Sequence, residues 1–410
     1  MTPSRLSARL ALLAALLPAA ARADESFSAC LARLRQAAPA RDVATTTFDR
    51  HAGKLEPDMS VVAALDYQPE FRTPIWDYLA ALVDDERVAD GQAMLREWDA
   101  TLRAVETRFG VDRATVVAVW GVESNFGRNF GTRPLVTSLA TLSCFGRRQD
   151  YFRGEFFTTL KILEEGHIDP DHMLGSWAGA FGHTQFMPST FMHTAVDFDG
   201  DGRRDLVGSI PDALASTANF LVRAGWRSGE RWGMEVRLPP AFDAAGEGRR
   251  SKRTVAHWVA RGVTAADGSA LVADTPAAGL LLPAGPQGPA FLVFRNFDAI
   301  HAYNASESYA LAIAHLSDRL RGGSPFATPW PTDDPGLSRA ERRELQRLLA
   351  GLGHAVGEID GVIGGHTRSA ILAEQERLGV PADGRAGRKL LDRLRDSEPS
   401  PATTPAPSPH

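Results

Sequence analysis

Val119-Trp120-Gly121-Val122-Glu123-Ser124-Asn125-Phe126-Gly127 puts a carboxylate on an apolar helix stripe. Val116, Val119 and Trp120 recur at i, i+3 and i+4, the spacing of a helix face turned to a core. Asp112 reads as the N-cap and Gly127 as the stop. Glu123 falls at i+7 from Val116, so the same stripe carries it towards the interior. Burial disfavours the charged form of a carboxyl and raises its pKa. A carboxyl still protonated near neutral pH is what a general acid requires. Spacing alone leaves a second reading open, a helix-end glutamate that turns back to solvent or pairs with an arginine.

Working outward, 410 residues are enough for two or three domains. A hydrophobic share of 44% and a charged share of 23% are those of a globular protein. Residues 1–23 differ: Arg5 and Arg9, an apolar run from Leu10 to Leu17, then Ala19-Ala20-Ala21-Arg22-Ala23. These are the three regions of a secretory leader, cut after Ala23, with an apolar part too short to span a bilayer. The expected location is therefore the periplasm. Phe27-Ser28-Ala29-Cys30 is a poor lipoprotein box, too far past the apolar run, so no lipid anchor is expected. Losing the leader takes the formal charge from −5 to −8. No dense Lys/Arg run interleaved with aromatics exists, which argues against a nucleic-acid partner. Cys30 and Cys144 are the only cysteines, and an exported chain invites one disulfide between them; two separate buried thiols are the alternative.

Residues 24–110 read as mostly helical, with amphipathic Phe27–Leu34 and one long pattern from Val88 to Phe109 ending at Gly110. Asp66–Phe71 and Pro74–Tyr78 mix aromatic and polar groups, as a sugar groove or ordinary loop packing would. Short helices are expected at Leu135–Leu142 and Pro211–Ala224. From Met234 to Phe297, short apolar runs between Gly/Pro turns indicate a small β-rich insert. A helix from Ser306 to Leu320 follows. Residues 322–337 have a linker's composition. Beyond them, Asp360-Gly361-Val362-Ile363-Gly364 recurs as Asp383-Gly384-Arg385-Ala386-Gly387, two matching turns in one compact module. The Pro/Ser/Thr-rich end, 397–410, reads as a disordered tail.

Several clusters carry possible chemistry. Arg147 and Arg148 follow a glycine, and either clamp an anionic group or form a solvated turn. In Leu174–Pro188 small residues alternate with aromatics, and glycines let backbone approach a ligand. Gln185 in that run suits an acetamido group; a close-packed turn is the alternative. Asp197, Asp199 and Asp201 with Gly202 match positions 1, 3, 5 and 6 of an EF-hand loop. Position 12 is Gly208, so closure falls to Asp212 at position 16. A structural calcium ion is expected there, against an acidic surface turn. Tyr303 and Asn304 either face a groove or cap the helix after them.

Taken in order, Glu123-Ser124-Asn125-Phe126-Gly127, Arg147-Arg148, Gly175–Gly182, Gln185-Phe186-Met187-Pro188 and Val196–Gly202 resemble the membrane-bound lytic murein transglycosylase B family. The resemblance spans most of residues 27–320. Residues 338–395 are similar to the type 1 peptidoglycan-binding domain, departing at His354 and Glu374. The resemblance implies an α+β, mainly helical fold: a lysozyme-like catalytic domain (24–321), a linker (322–337) and a three-helix binding domain (338–396). It implies cleavage of the β-1,4 bond between N-acetylmuramic acid and N-acetylglucosamine in peptidoglycan, leaving 1,6-anhydromuramyl ends. One glutamate, Glu123, does the proton work, and no cofactor takes part in the chemistry. Ser176, Gln185, Tyr303 and Asn304 fall at substrate positions, and Arg147 and Arg148 towards the peptide stem. Asp197, Asp199, Asp201, Asp212 and the Arg203 carbonyl fall at metal positions. Phe220 stands where the family often has Tyr. Glycan strands are the expected partner, with other cell-wall enzymes as further candidates. A water-using muramidase and a non-catalytic wall-binding protein are the competing readings.

Overall fold

The computed structural model describes residues 26–65, 73–272 and 276–397. The leader, the Asp66–Phe71 segment and the tail beyond residue 397 lie outside the described residues. Ser397 itself closes the last helix.

The chain opens with α1 (Phe27–Ala37), α2 (Thr45–Ala52) and α3 (Met59–Ala64). Next come α4 (Ile75–Leu82), α5 (Asp85–Glu97) and α6 (Asp99–Phe109). The single helix expected over Val88–Phe109 is therefore broken. Trp98 leaves helical geometry (φ −101°, ψ 20°) and turns the chain so that Val88, Leu102 and Val105 reach one core.

That core surrounds α7 (Arg113–Ser124), whose residues from Ala114 to Gly121 are all buried. The Asp112 carboxylate caps it, accepting from Thr115 N at 3.0 Å. It stops before Gly127, because Asn125 takes left-handed geometry (φ 51°, ψ 49°) and closes on the Gly121 carbonyl. Asparagine tolerates that conformation, so the turn comes two residues ahead of the glycine.

A second core lies beneath β1 (Arg133–Pro134), α8 (Leu135–Cys144) and α9 (Gln149–Glu164). A disulfide from Cys30 in α1 to Cys144 closes a separation of 114 residues across it. Then follow β2 (Leu174–Gly175), antiparallel to β1, with α10 (Pro188–Thr194) and α11 (Ile210–Arg223).

The β-rich insert is an antiparallel sheet in the order β4-β3-β6-β5. Its members are β3 (Gly233–Arg237), β4 (Thr264–Ala265), β5 (Gly279–Leu281) and β6 (Ala290–Val293), with α12 (Val255–Ala260) seating Trp258 in its core. α13 (Arg295–Asn304) and α14 (Glu307–Leu320) return to the main core, and α14 lies against α7.

Within 322–337 the middle of the stretch, from Phe326 on, is anchored to the preceding domain, which linker composition does not foretell, while Gly322–Pro325 are exposed. Phe326 stacks on His315 at 3.8 Å between ring centroids. Glu235 accepts from the backbone N–H of Ala327 and Thr328 at 2.7 and 2.8 Å. Beyond this strap, α15 (Arg339–Gly351), α16 (Gly365–Arg377) and α17 (Arg388–Ser397) enclose Leu345, Leu349, Ile371 and Leu391. The two repeated turns share one device. Gln346 accepts from Gly361 N at 2.7 Å, and Gln375 from Gly384 N at 2.8 Å. At the two points of departure from the type 1 domain, His354 and Glu374 bond each other at 3.1 Å.

Candidate active site

α7 delivers Glu123 in its last turn, where the helix leaves the core. The residue is half-buried, and burial pushes its carboxyl up to about 8. The Tyr309 hydroxyl donates to Oε1, which favours the ionised form and opposes that rise. No charged neighbour contributes to the shift among the described residues. Tyr309 sits in the first turn of α14, and burial holds it as a phenol, well above its ordinary pKa. Spacing from Glu123 gave no hint of this partner. The available signal was a tyrosine on an otherwise Ala/Leu stripe, since a buried phenol requires an acceptor.

The 174–187 run closes over the end of α7. Ser124 Oγ donates to the His183 carbonyl at 2.6 Å and accepts from Gly127 N at 2.9 Å. His183 is buried, and its Nδ1 accepts from Trp120 Nε1 at 3.1 Å. Desolvation lowers its pKa to about 4, so the ring is neutral with its proton on Nε2. At Gly131 (φ 81°) a Cβ would lie 2.2 Å from the Gly175 carbonyl oxygen, so only glycine admits this approach.

The other sequence candidates fall into three groups. Of the first group, Tyr303 comes close to Glu123, whose charge acts on its hydroxyl, while Ser176 and Gln185 lie in the 174–187 run. Tyr303 donates to the Thr184 carbonyl at 2.6 Å and lies 6.2 Å from Tyr309, ring to ring, nearly parallel. The Phe220 ring lies 4.6 Å from that of Tyr303, tilted. Ser176 Oγ accepts from Ala180 N at 3.0 Å. Gln185, in left-handed geometry (φ 50°), donates from Nε2 to the Gly182 and Phe130 carbonyls at 2.8 and 3.2 Å. Both Nε2 donations are thus spent on backbone carbonyls, and Oε1 is the amide's acceptor. Asn304 is the exposed final residue of α13.

Arg147 and Arg148 form the second group, both exposed at the turn before α9. Arg147 donates to the Leu65 carbonyl, at the edge of the undescribed segment. Arg148 stacks over Tyr151, 4.4 Å from its centroid.

The third group is the acidic loop. Carboxylate oxygens of Asp197, Asp199 and Asp212 lie within 4.8 Å of one another. Asp212 is fully buried in the first turn of α11, and its pKa is raised by that burial. It accepts from Phe198 N and Asp205 N at 2.7 and 2.8 Å. Asp201 lies outside the convergent group, with Oδ1 accepting from Arg203 N at 2.8 Å. The Arg203 guanidinium reaches away to the His167 carbonyl at 3.0 Å. Three hard oxygen donors around one point fit a calcium-sized cation.

Comparison with known proteins gives two family matches. The transglycosylase SLT domain matches residues 26–318, and a peptidoglycan binding domain matches residues 338–394. The membrane-bound lytic murein transglycosylase B of Escherichia coli K12 is 32% identical over 261 residues, 63% of this chain and 67% of that protein. SltB3 of Pseudomonas aeruginosa, solved with a NAG-anhNAM-pentapeptide, is 47% identical over 90% of this chain and all of that one, with a TM-score of 0.73. The Escherichia coli transglycosylase Slt35, solved with calcium, is 27% identical over 71% of this chain and 92% of that one, with a TM-score of 0.62.

Proposed function

The chain belongs to the transglycosylase SLT family of peptidoglycan-cleaving enzymes, and from that premise we propose that Glu123 alone serves as acid and then as base. The supporting observation is a carboxyl raised to about 8 by burial, with only the Tyr309 hydroxyl opposing the rise. Protonated Glu123 gives its proton to the glycosidic oxygen as the bond from C1 of N-acetylmuramic acid breaks. The carboxylate so formed then takes the proton of the C6 hydroxyl, whose oxygen closes onto C1. The products are a free sugar hydroxyl and a 1,6-anhydro ring, and the enzyme returns protonated with no water consumed. Hydrolysis instead calls for a second carboxylate about 5 to 9.5 Å away. None perturbs Glu123 among the described residues.

The walls suit an amino-sugar strand. Gln185 Oε1 would accept from an acetamido N–H, and the Ser176 hydroxyl would orient the strand from the same 174–187 run. Tyr303, with Asn304 after it, completes the wall on the α13 side. Arg147 and Arg148, on the exposed turn, suit the carboxylates of a peptide stem. Asp197, Asp199 and Asp212 would hold a structural calcium ion, with Asp201 and the Arg203 carbonyl as neighbours to the set. The ion would neutralise the loop's carboxylates and hold its start against α11. The leader reading supports export to the periplasm; no helix among the described residues is long and apolar enough to cross a membrane.

Mass spectrometry of soluble products from purified sacculi tests the reaction. Wild type is expected to release anhydromuropeptides and Glu123→Gln none. Products heavier by one water would replace the transglycosylase reading with a muramidase. A Glu123→Gln variant active near the wild-type rate would remove Glu123 from its role.

A further inference from the structure

The binding module touches the end of the helix that carries Glu123. Arg339, the first residue of α15, is nearly buried at the seam between the two halves, with 12% of its side chain exposed. Its backbone N–H donates to Asp84 Oδ2 at 3.0 Å, and its guanidinium reaches Asp84 Oδ1 at 3.4 Å. Glu86 and Asp90 lie 3.6 and 3.7 Å from the same guanidinium. Its Nη1 also donates to Asn125 Oδ1 at 3.3 Å.

Asn125 is the left-handed residue that ends α7, two positions after Glu123. Its N–H closes on the Gly121 carbonyl at 3.1 Å. Arg87, buried in α5, donates to that same carbonyl. Asp84 caps α5 by accepting from Arg87 N at 2.7 Å, and it is the carboxylate that Arg339 grips. Two guanidinium groups thus hold the C-terminal turn of α7, one from the catalytic half and one from the module. Cations are favourable at a helix C-terminus, and the last turn is where a helix frays.

We infer that Arg339 is a positioning residue for the cleavage reaction, acting from the wall-binding module through Asn125 to fix the turn that carries Glu123. The module then contributes to turnover itself, apart from any adhesion to the wall. This rests on the proposed role of Glu123. A displacement of about 1 Å in an acid's position costs up to about a hundredfold in rate without loss of binding.

The test uses the full chain and a soluble uncrosslinked glycan oligomer, so that wall adhesion plays no part. Arg339→Ala is expected to lower kcat about tenfold with KM within about twofold, and to sediment with sacculi like wild type. Arg339→Lys, which keeps the cation and the backbone contact to Asp84, is expected to recover part of the loss. Arg385→Ala is the control: Arg385 joins the module to Asp77 at 2.6 Å, through α4 instead of α7. Its kcat is expected to match wild type. A wild-type kcat in Arg339→Ala would overturn the inference, as would equal losses in Arg339→Ala and Arg385→Ala. Should Arg339→Ala not fold, Arg339→Lys decides at unchanged melting temperature: reduced kcat supports the inference and wild-type kcat overturns it. Wild type inactive on an oligomer would overturn the function of Glu123 and this inference with it.

Discussion

A carboxyl with a pKa near 8 holds its proton at neutral pH, and the Tyr309 hydroxyl keeps that pKa from climbing further. The two groups are 186 residues apart in sequence. The acid is active in its protonated form, so kcat/KM should fall on the alkaline side as Glu123 ionises. Tyr309→Phe removes the donor that favours the carboxylate. Its alkaline limb should therefore move to higher pH, with kcat/KM at pH 6 down about tenfold because the carboxyl loses its anchor. A pH–rate series on the soluble oligomer measures both. A limb at lower pH would contradict the role given to that hydrogen bond. Glu123 was a candidate from the sequence because its seven-residue spacing from Val116 put it on the apolar stripe, and the family resemblance chose between the two readings that spacing left open. The contacts that Tyr309 and His183 make with α7 were not legible, although both lie in runs the resemblance covers, because tertiary packing brings them there from α14 and the 174–187 run.

The acidic loop shows what a local pattern reveals and what it does not. Alternating Asp197, Asp199 and Asp201 suggested a cation loop, and the count along it named Asp212 as the closing acid; the fold brings Asp212 to the first two, but turns Asp201 aside, which the spacing did not foretell. Asp212 has two tasks, closing the group and satisfying the N–H groups of Phe198 and Asp205. Asp212→Ala should cost about 2 to 4 kcal/mol from the unmet donors, and should abolish any response of the melting temperature to calcium. Asp201→Ala should keep that response. A calcium titration after chelation, followed by thermal unfolding, separates them; an unresponsive wild type would leave the loop an acidic turn. A helix boundary was legible where capping chemistry marked it, as at Asp112, whereas the cap of α14 is Ser306 and not Tyr303 or Asn304. The break at Trp98 was not legible, since the apolar pattern runs through it and only packing around Leu102 calls for the turn.

At the scale of the whole molecule, the Cys30–Cys144 bond ties the first helix to α8 across 114 residues. Closing a loop of that size restricts the unfolded chain by about 4 to 5 kcal/mol. Reductant should therefore lower the melting temperature of wild type and leave a Cys30→Ala/Cys144→Ala variant unmoved. A compact C-terminal module and the β insert were readable from their repeats and turns, and the resemblance supplied the module's three helices. The seam between halves was not readable, because Asp84, Arg339 and Arg385 look like ordinary surface charges until the fold brings them together. The strap from 322 to 337 has a consequence for how the protein comes apart. A protease must draw a stretch of chain, extended, into its cleft. Phe326 lies flat on His315, and Glu235 holds the two amides that follow it, so the middle of this stretch cannot be drawn out without breaking those contacts. Brief digestion should leave the catalytic half and the wall-binding module on one fragment, although the composition of the strap marks it as the place to cut.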